Sequence, residues 1–443
     1  MIVSISIRNF RSVKDKITLS FEAEKSKDLE EYYVFEPVPG ERLLKLGLIY
    51  GANGSGKTTI LKGLSLLRQV ILKAPFQKQD PLDHFPFLFD TETPAQPTEF
   101  ELIFYRNMVK YSYQIAFTRE AITYEKLENY SPNKSLLYER KTNLEKQLSQ
   151  IKFGAKAKLK KSQEETLGAN TLWNSPVLAG FLRSNIDSTD LREVTDWFRD
   201  VLGNLISPKS DLSSSINKAL ELQEINKNHL TLFLQKADFK ITDIALEKKK
   251  TDYDESFKEI LKIINRNANS RLSESAPAQD DDYAEQLEIG FTHTVKVNDK
   301  MYNYHLPYDE ESEGTQRYYQ LSGILEQLLN KPGIALIDEL ESSLHPDLLK
   351  HFLLLFLVNV KDSQLIATTH YRELLLERNI LRDDAIWFTE KKQDGSMELY
   401  SLSDFDSSVV RDTTSVFNAY RSGKLGAVPQ VSDHYLDIED GKK

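Results

Sequence analysis

The sequence contains no cysteine, which excludes disulfide bonds, thiolate metal sites and a cysteine nucleophile. It also lacks any apolar run near the ~18 residues that a membrane-spanning helix needs. The first ten residues, MIVSISIRNF, alternate apolar and polar side chains and lack the charged-then-apolar layout of a signal peptide. From these absences we expect a cytoplasmic protein that does not span a membrane.

An excess of basic residues is also missing, since 57 lysines and arginines face 67 aspartates and glutamates. The resulting net charge of −10 argues against a protein that coats nucleic acid without specificity. One local lysine run, between Lys152 and Lys161, could still contact DNA or RNA. Such a run is more often the solvated face of a charged helix, and contact with nucleic acid therefore stays open.

The length of 443 residues favours two or three domains. Strand patterns at 2–7 and 46–50, and a predicted β-hairpin over 99–117, lie in the first part of the chain. The composition then shifts to Lys, Glu, Gln, Leu and Asn with amphipathic patterns, up to a polar, linker-like stretch at 273–282. The predicted domains are a first lobe at 1–130, a mostly helical insertion at 131–275 and a second lobe at 276–443.

A phosphate-binding loop is predicted at residues 51–58, GANGSGKT, which fit G-x-x-x-x-G-K-[ST] at every fixed position. Glycines let backbone N–H groups turn towards phosphate, and the following helix offers its positive N-terminal end. Lys57 would neutralise the outer phosphates, and the Thr58 hydroxyl would ligate Mg²⁺. The predicted nucleotide contacts in this loop are Gly51, Asn53, Gly54, Ser55, Gly56, Lys57, Thr58 and Thr59.

A second part of the site is predicted in GIALIDELESSLHP, residues 333–346. The apolar residues 334–337 have the pattern of a buried parallel strand, and Asp338 and Glu339 follow it. Ligands gather at the carboxyl ends of strands in open α/β sheets. We therefore expect Asp338 to hold Mg²⁺ and Glu339 to be the general base that activates water.

Another apolar strand pattern, in QLIATTHYREL at 364–374, ends in His370. A lone histidine at a strand end is more often structural than catalytic. Here it closes a third parallel strand of the same predicted sheet. We therefore predict that His370 contacts the γ-phosphate of the nucleotide.

The order of phosphate loop, acidic strand and histidine strand resembles the ABC-type ATPase heads of SMC, recombination-repair and OLD-family proteins. Two further phrases carry this resemblance, RNFRS at 8–12 and ESSLHP at 341–346. The resemblance implies that Arg11 and Ser12 approach the nucleotide and that 341–346 crosses to the opposite subunit. Lys57 and Asp338 lie 281 positions apart (338 − 57). Such a separation suits ATPase heads that are split by an inserted arm.

The same resemblance implies a fold and a reaction. The fold would be α/β, an ABC-type P-loop ATPase head with a RecA-like parallel sheet and an antiparallel β-subdomain, split by the helical insertion. The reaction would be hydrolysis of ATP with Mg²⁺. It would take place in a homodimer, or a larger homo-oligomer, whose two heads sandwich the nucleotide.

In such heads a Ser-x-Gly segment at a helix N-terminus of one subunit caps the γ-phosphate bound to the other. Two segments of this chain compete for that role, LSG at 321–323 and ESEGTQ at 311–316. Apolar side chains at helical spacing place 321–323 inside a helix, where backbone N–H groups are already bonded. Ser312 and Gly314 lie where that helix should begin, and we therefore assign the role to them.

Within this class, the sequence resembles the single-chain ATPases of bacterial abortive-infection and phage-defence systems, of the AbiLi/RloA and PARIS AriA type. The phrases that carry this resemblance are PFLFD, KADFKITDI, ESEGTQRYY, IDELESSLHP and AYRSGKLGAVP. It implies an ATPase that regulates a separate effector protein, often a TOPRIM-type nuclease. Two alternatives stay open: an SMC-like ATPase of DNA repair or chromosome maintenance, and the ATPase subunit of a membrane transporter.

Overall fold

The computed structural model describes residues 1–237, 239–252, 283–405 and 413–427. The chain divides into two compact units. The first unit comprises residues 1–210, 328–342 and 349–443, and the second comprises residues 211–327 and 343–348. Two predicted segments lie outside the described residues: the last part of the insertion, 253–275, and the linker-like stretch at 273–282.

Strands and helices are mixed along the whole described chain. The strands are β1 (Ile2–Arg8), β2 (Ile17–Ser20), β3 (Val34–Phe35), β4 (Leu43–Leu44), β5 (Leu46–Gly51), β6 (Thr98–Arg106), β7 (Val109–Phe117), β8 (Ile122–Tyr130), β9 (Lys134–Asn143), β10 (Leu148–Phe153), β11 (Leu202–Ile206), β12 (Ile241–Asp252), β13 (Tyr283–Val297), β14 (Lys300–Pro307), β15 (Ile334–Ile337), β16 (Gln364–Thr368), β17 (Ile386–Lys391) and β18 (Met397–Ser401). The α-helices are α1 (Glu30–Tyr33), α2 (Lys57–Leu72), α3 (Lys161–Asn170), α4 (Val177–Leu182), α5 (Thr189–Asp196), α6 (Ser213–Glu221), α7 (Lys227–Lys236), α8 (Glu313–Asn330), α9 (Pro346–Asn359) and α10 (Thr413–Arg421). Over the residues described, none of the helices is both long and apolar enough to cross a membrane.

A six-stranded sheet forms the centre of the first unit, with strand order β11-β15-β16-β5-β17-β18. Its first five strands are parallel, and β18 is antiparallel to β17. Every residue of β5, β15 and β16 is buried, which explains why these strands are nearly continuous apolar runs without alternation. Because they are parallel, their carboxyl ends meet at one edge of the sheet.

A seven-stranded antiparallel sheet, with strand order β10-β9-β8-β7-β6-β1-β2, also belongs to the first unit. The hairpin predicted over 99–117 is confirmed as β6 and β7. Its turn residues Asn107 and Met108 have φ values of 47° and 62°, and positive φ at both positions matches the twist of the paired strands. The core side of this sheet is aromatic, with the Phe104 and Trp197 ring centroids 4.2 Å apart.

The segment predicted as an insertion, 131–275, contains strands as well as helices. β9 and β10 extend the antiparallel sheet, and β11 pairs with β15 at the edge of the parallel sheet. The second unit therefore begins at residue 211 and not at 131. The strand pattern of β9 is hidden in the sequence because one of its buried positions is a charged residue, Arg140, which lies beside the equally buried Glu125.

The second unit combines the three-stranded antiparallel sheet β12-β13-β14 with α6, α7 and the N-terminal part of α8. The Tyr319 hydroxyl of α8 donates to Asn217 Oδ1 of α6 at 2.9 Å. His229 Nδ1 of α7 lies 3.0 Å from the carboxylate of Glu326 of α8, which is fully buried. A buried hydrogen bond, and a contact between the exposed His229 and a buried carboxylate, thus join α8 to α6 and α7.

Candidate nucleotide-binding site

The predicted phosphate loop joins β5 to α2 in the first unit, which is the expected strand–loop–helix order. Gly54 and Gly56 have φ values of 77° and 106°, a left-handed conformation that favours glycine. A Cβ atom on Gly56 would lie 2.4 Å from Met397 Sδ and 2.7 Å from Ser12 Oγ. Backbone conformation and close packing therefore both require glycine at position 56.

The other loop side chains divide between solvent and the protein interior. Asn53 is exposed at the crest of the loop. Ser55 and Thr59 are buried, and each of their hydroxyls contacts a hydroxyl from another part of the chain. Ser55 Oγ lies 2.6 Å from Thr389 Oγ1, and Thr59 Oγ1 lies 3.0 Å from Ser12 Oγ. These two contacts attach the loop and the start of α2 to other parts of the chain, and neither Thr389 nor its contact was predicted from the sequence.

Lys57, the first residue of α2, is buried and folds back over the loop. Its Nζ donates to the carbonyl oxygens of Gly51 at 2.8 Å and Ala52 at 3.1 Å. Burial lowers the pKa of Lys57 to about 8, although the carboxylates of Asp338 and neighbouring glutamates oppose this shift. The ammonium group is thus held at the phosphate loop by weak, neutral acceptors that an anionic ligand would replace favourably.

Thr58 and Asp338, the two residues predicted to hold Mg²⁺, lie together although they are 280 residues apart. Thr58 Oγ1 donates to Asp338 Oδ1 at 2.9 Å. Thr368 Oγ1, at the end of β16, donates to the same oxygen at 2.6 Å. Hydroxyl and carboxylate oxygens are ligand types that Mg²⁺ prefers, and these residues therefore fit that cation. Thr368 was not predicted, although its place at a strand end beside His370 is a usable signal.

Glu339, the predicted general base, has a backbone conformation that is unusual for glutamate. Its φ is 49°, and its N–H donates to Thr368 Oγ1 at 2.8 Å. A left-handed non-glycine residue costs on the order of 1–3 kcal/mol and persists where surrounding contacts impose it. The residue is exposed, whereas the preceding Asp338 is buried. This turn therefore directs two successive carboxylates into different environments.

His370 lies beside the phosphate loop, with its Nδ1 3.4 Å from Lys57 Nζ. Its backbone N–H donates to Glu341 Oε1 at 2.6 Å. Burial and the neighbouring lysine cation lower the pKa of His370, so that the neutral imidazole is favoured. Glu341 is predicted from the sequence only as part of the crossing segment 341–346, and its contact with His370 is a finding of the structure.

The RNFRS element at 8–12 reaches the phosphate loop through Ser12, and Asn9 holds the element in place. Asn9 is 1% exposed and has a φ of 49°. Its Nδ2 donates to the carbonyl oxygens of Thr93, Gln96 and Pro97, and its Oδ1 accepts the N–H of Phe87. The structural role of Asn9 is also not predictable from the sequence, because its hydrogen-bond partners lie about eighty positions away in the chain.

Ser312 and Gly314 lie in the second unit, where α8 begins at Glu313 as predicted. Ser312 Oγ accepts the backbone N–H of Thr315 at 3.2 Å and so caps the helix. A Cβ atom on Gly314 would lie 3.1 Å from the carbonyl oxygen of Ser343. The helix start is thus closely packed against the segment that follows the acidic strand, while its role towards nucleotide stays a prediction.

The competing segment, 321–323, lies inside α8 as predicted. Ser322 is 2% exposed, and its Oγ donates to the carbonyl oxygen of Tyr318 one turn earlier at 2.8 Å. A Cβ atom on Gly323 would lie 2.5 Å from Ile216 Cδ1 of α6. These residues serve helix packing within the second unit.

The phosphate loop, the Thr58–Asp338 contact and His370 all lie at the carboxyl edge of one parallel sheet. Together with the antiparallel sheet, they define an α/β fold with a phosphate loop after a central parallel strand, and the predicted α/β class with a parallel and an antiparallel sheet is confirmed. Residues 48–377 match the sequence model of the family described as "AAA domain, putative AbiEii toxin, Type IV TA system". Because the match spans more than half of the chain, the protein belongs to this family.

Two solved structures of SMC heads are similar to this chain. One is the "SMC head domain from Thermotoga maritima", with 13% sequence identity, a TM-score of 0.40, and coverage of 90% of this chain and 98% of that chain. The other is the "SmcHead bound to the C-winged helix domain of ScpA", with 14% identity, a TM-score of 0.40, and coverage of 90% and 97%. No curated protein sequence matches this chain.

Proposed function

We propose that the protein binds ATP together with Mg²⁺ and hydrolyses the nucleotide. The observation that carries this proposal is the 2.9 Å contact between Thr58 of the phosphate loop and Asp338 of the acidic strand. It joins the predicted phosphate-binding and metal-binding residues in one site. Glu339 and His370 follow the ends of the two strands beside this contact.

Each residue of this site has a defined task in the proposed reaction. Thr58 and Asp338 would hold Mg²⁺, which neutralises charge on the phosphate oxygens. Lys57 would exchange its loop carbonyls for phosphate oxygens. The exposed Glu339 would take the proton of the attacking water. The neutral imidazole of His370 would contact the γ-phosphate.

The direct test is phosphate release from ATP by the purified protein, measured with Mg²⁺ and again with excess EDTA. Release is expected only with Mg²⁺. Lys57→Ala should weaken ATP binding strongly, since it removes the cation that lies over the loop. Equal ATP affinity of this variant and the wild type would contradict the proposed site.

We further propose that the complete site needs a second copy of the chain, in a homodimer or a larger assembly. Ser312 and Gly314 of one copy would cap the γ-phosphate that is bound to the other. The support is their place at the first turn of an 18-residue helix, where backbone N–H groups have no intrahelical acceptor.

Sedimentation velocity of Glu339→Gln with and without ATP tests this assembly. ATP should convert a smaller species into a larger one, and Ser312→Glu in the same background should prevent the conversion by repelling phosphate. An ATP response that is unchanged by Ser312→Glu would contradict the role of this segment.

We also propose that ATP turnover regulates a separate effector protein, a nuclease of the TOPRIM class, in antiphage defence. The support is the family description, which names a toxin and a toxin–antitoxin system, and the abortive-infection phrases in the sequence. The test is co-purification with the product of the neighbouring gene, followed by nuclease assays with wild type and Glu339→Gln. A neighbour that acts in DNA repair would instead favour the SMC-like alternative.

A further inference from the structure

One cation beside the phosphate loop differs from its neighbours in what surrounds it. Residues 8–16 contain four basic side chains. Three of them pair with a carboxylate at 2.8 Å: Arg8 with Glu99, Lys14 with Asp90, and Lys16 with Glu101. The fourth, Arg11, has no ion pair and no side-chain hydrogen bond with any residue that the structure describes.

Arg11 is held by an aromatic ring instead. Its guanidinium carbon lies 4.5 Å from the ring centroid of Phe85 and 5.6 Å from that of Phe10. Its backbone N–H also donates to the carbonyl oxygen of Phe85 at 2.7 Å. A ring orients a guanidinium through its flat face and leaves the five N–H donors at its edge available. Arg11 is thus a positioned cation whose donors can all serve a ligand.

The place of Arg11 identifies the chemistry of that ligand. The next residue, Ser12, lies against Gly56 of the phosphate-loop motif, and its Oγ is 3.0 Å from Oγ1 of Thr59, the residue that follows the motif. Consecutive Cα atoms are about 3.8 Å apart, so that Arg11 begins at the border of the phosphate cradle. An arginine at this border is therefore suited to bind phosphate oxygens.

We propose that Phe85 is a positioning residue that presents the Arg11 guanidinium to phosphate oxygens of the bound nucleotide. This inference rests on the proposed binding of ATP and adds the residue that prepares one of its contacts. It also assigns a task to the segment HFPFLFD at 84–90, which the proposed function leaves without one. The recognised group is phosphate, which ATP, ADP and tripolyphosphate share.

The test is the dissociation constant for ATP, ADP and tripolyphosphate, each with Mg²⁺, in wild type, Phe85→Leu and Phe85→Tyr. An exposed cation–π contact corresponds to about 2–5-fold in affinity, and Phe85→Leu should weaken all three ligands by that factor. Phe85→Tyr keeps the ring and should restore wild-type affinity. Arg11→Ala should weaken the binding of all three ligands more than Phe85→Leu does, because it removes the N–H donors themselves.

The chain offers a control in a second contact between an exposed phenylalanine and an arginine, whose guanidinium also donates to the carbonyl oxygens of Ala74 and Pro75. The guanidinium carbon of Arg183 lies 4.2 Å from the ring centroid of Phe76, which is 79% exposed. Phe76 follows the far end of α2, a 16-residue helix that is about 24 Å long. Phe76→Leu removes the same kind of contact at a distance from the loop, and it should leave all three dissociation constants unchanged.

The possible results separate the inference from the proposed function. Wild-type affinities in Phe85→Leu would overturn the inference and leave ATP binding intact. Weaker binding of ATP and ADP with unchanged binding of tripolyphosphate would also overturn the inference, because Arg11 would then contact the base or ribose. A wild type that binds none of the three ligands would refute the proposed function and the inference with it. Phe85 is 41% exposed, and equal thermal unfolding of Phe85→Leu and wild type would show that the variant folds.

Discussion

Two clusters that contain buried charged side chains lie in the first unit and differ in structure. The loop cluster consists of the buried Lys57, Asp338 and Thr368 and of the exposed His370. The sheet cluster consists of Tyr113, Glu125, Tyr138 and Arg140, on adjacent antiparallel strands. Both clusters contain charges of opposite sign. In the loop cluster, burial lowers the pKa of Lys57 to about 8. In the sheet cluster, burial raises the pKa of Glu125.

The sheet cluster is closed on all sides. Glu125 and Arg140 are both 0% exposed. The Glu125 carboxylate accepts the hydroxyls of Tyr113 at 3.0 Å and Tyr138 at 2.7 Å, and also the backbone N–H of Val177 at 2.8 Å. Donors thus occupy both carboxylate oxygens, and no substrate can reach them. The cluster attaches the start of α4 to the sheet and has a structural role.

The loop cluster opens to solvent through Glu339, which follows the buried Asp338 directly. Its lysine is held by backbone carbonyls, which an anionic ligand can replace. Buried charge alone therefore does not identify a candidate site in this protein. A site also needs an accessible reactive group and contacts that a ligand can replace. Of the two clusters, only the loop cluster has such a group and such contacts.

The largest expected effect is that of Glu339→Gln, which removes the accessible base and keeps the buried cluster. ATP hydrolysis should fall by about 10²–10⁴-fold, as expected when a general base is lost. ATP affinity and the free energy of unfolding should change little, because the side chain is exposed. Single-turnover hydrolysis and ATP titration measure the two quantities. Hydrolysis at the wild-type rate would assign the base to another residue.

The second effect should appear in stability and not in catalysis. Arg140→Met leaves the buried Glu125 carboxylate without its cation, and such losses cost about 3–5 kcal/mol. Urea unfolding of the first unit should report this loss, while the folded variant should bind ATP normally. The double variant Glu125→Leu with Arg140→Met should be less destabilised than Arg140→Met alone. If Arg140→Met lowers the free energy of unfolding by less than about 1 kcal/mol, the sheet cluster does not depend on the ion pair of Glu125 and Arg140.

The smallest effect concerns Thr368, whose hydroxyl bonds both Asp338 and the N–H of Glu339. Thr368→Val keeps the shape and removes two hydrogen bonds of about 1 kcal/mol each, and we expect about a tenfold lower kcat with little change in KM. Thr195→Val is the control, because Thr195 is equally buried but bonds only carbonyl oxygens of its own helix, at 3.0 Å. Equal effects of the two variants on kcat would remove Thr368 from the catalytic arrangement.

Much of the site could be predicted because its signals are local. The phosphate loop is recognisable within eight residues, and Asp338 and Glu339 directly follow an apolar run that is confirmed as β15. Other contacts could not be predicted. Asn9 and Thr389 act through hydrogen bonds to partners that are distant in sequence, and no nearby pattern announces them.

The domain organisation shows the same limit. Strand β9 carries Lys134, Glu139, Arg140 and Lys141, which hide the alternation that identifies a strand. Arg140 is buried there because the neighbouring strand supplies Glu125 as its cross-strand partner and because its Nη2 donates to Ser149 Oγ and to the carbonyl oxygens of Leu172 and Trp173. Sequence patterns record the polarity of single residues, whereas the burial of a charge depends on its partners.

Short stretches of the sequence encode the chemical groups of the candidate site: a phosphate loop, two successive carboxylates after a buried strand, and a histidine after the next strand. These features depend on local backbone conformation and on strand ends, and neighbouring residues encode both. Thr58 and Asp338 were predicted to share Mg²⁺, whereas the hydrogen bond from Thr368 to Asp338 and the contact of Arg11 with the ring of Phe85 emerge only in the folded protein. Such contacts join residues that are far apart in the chain, and the packing of the folded chain selects them.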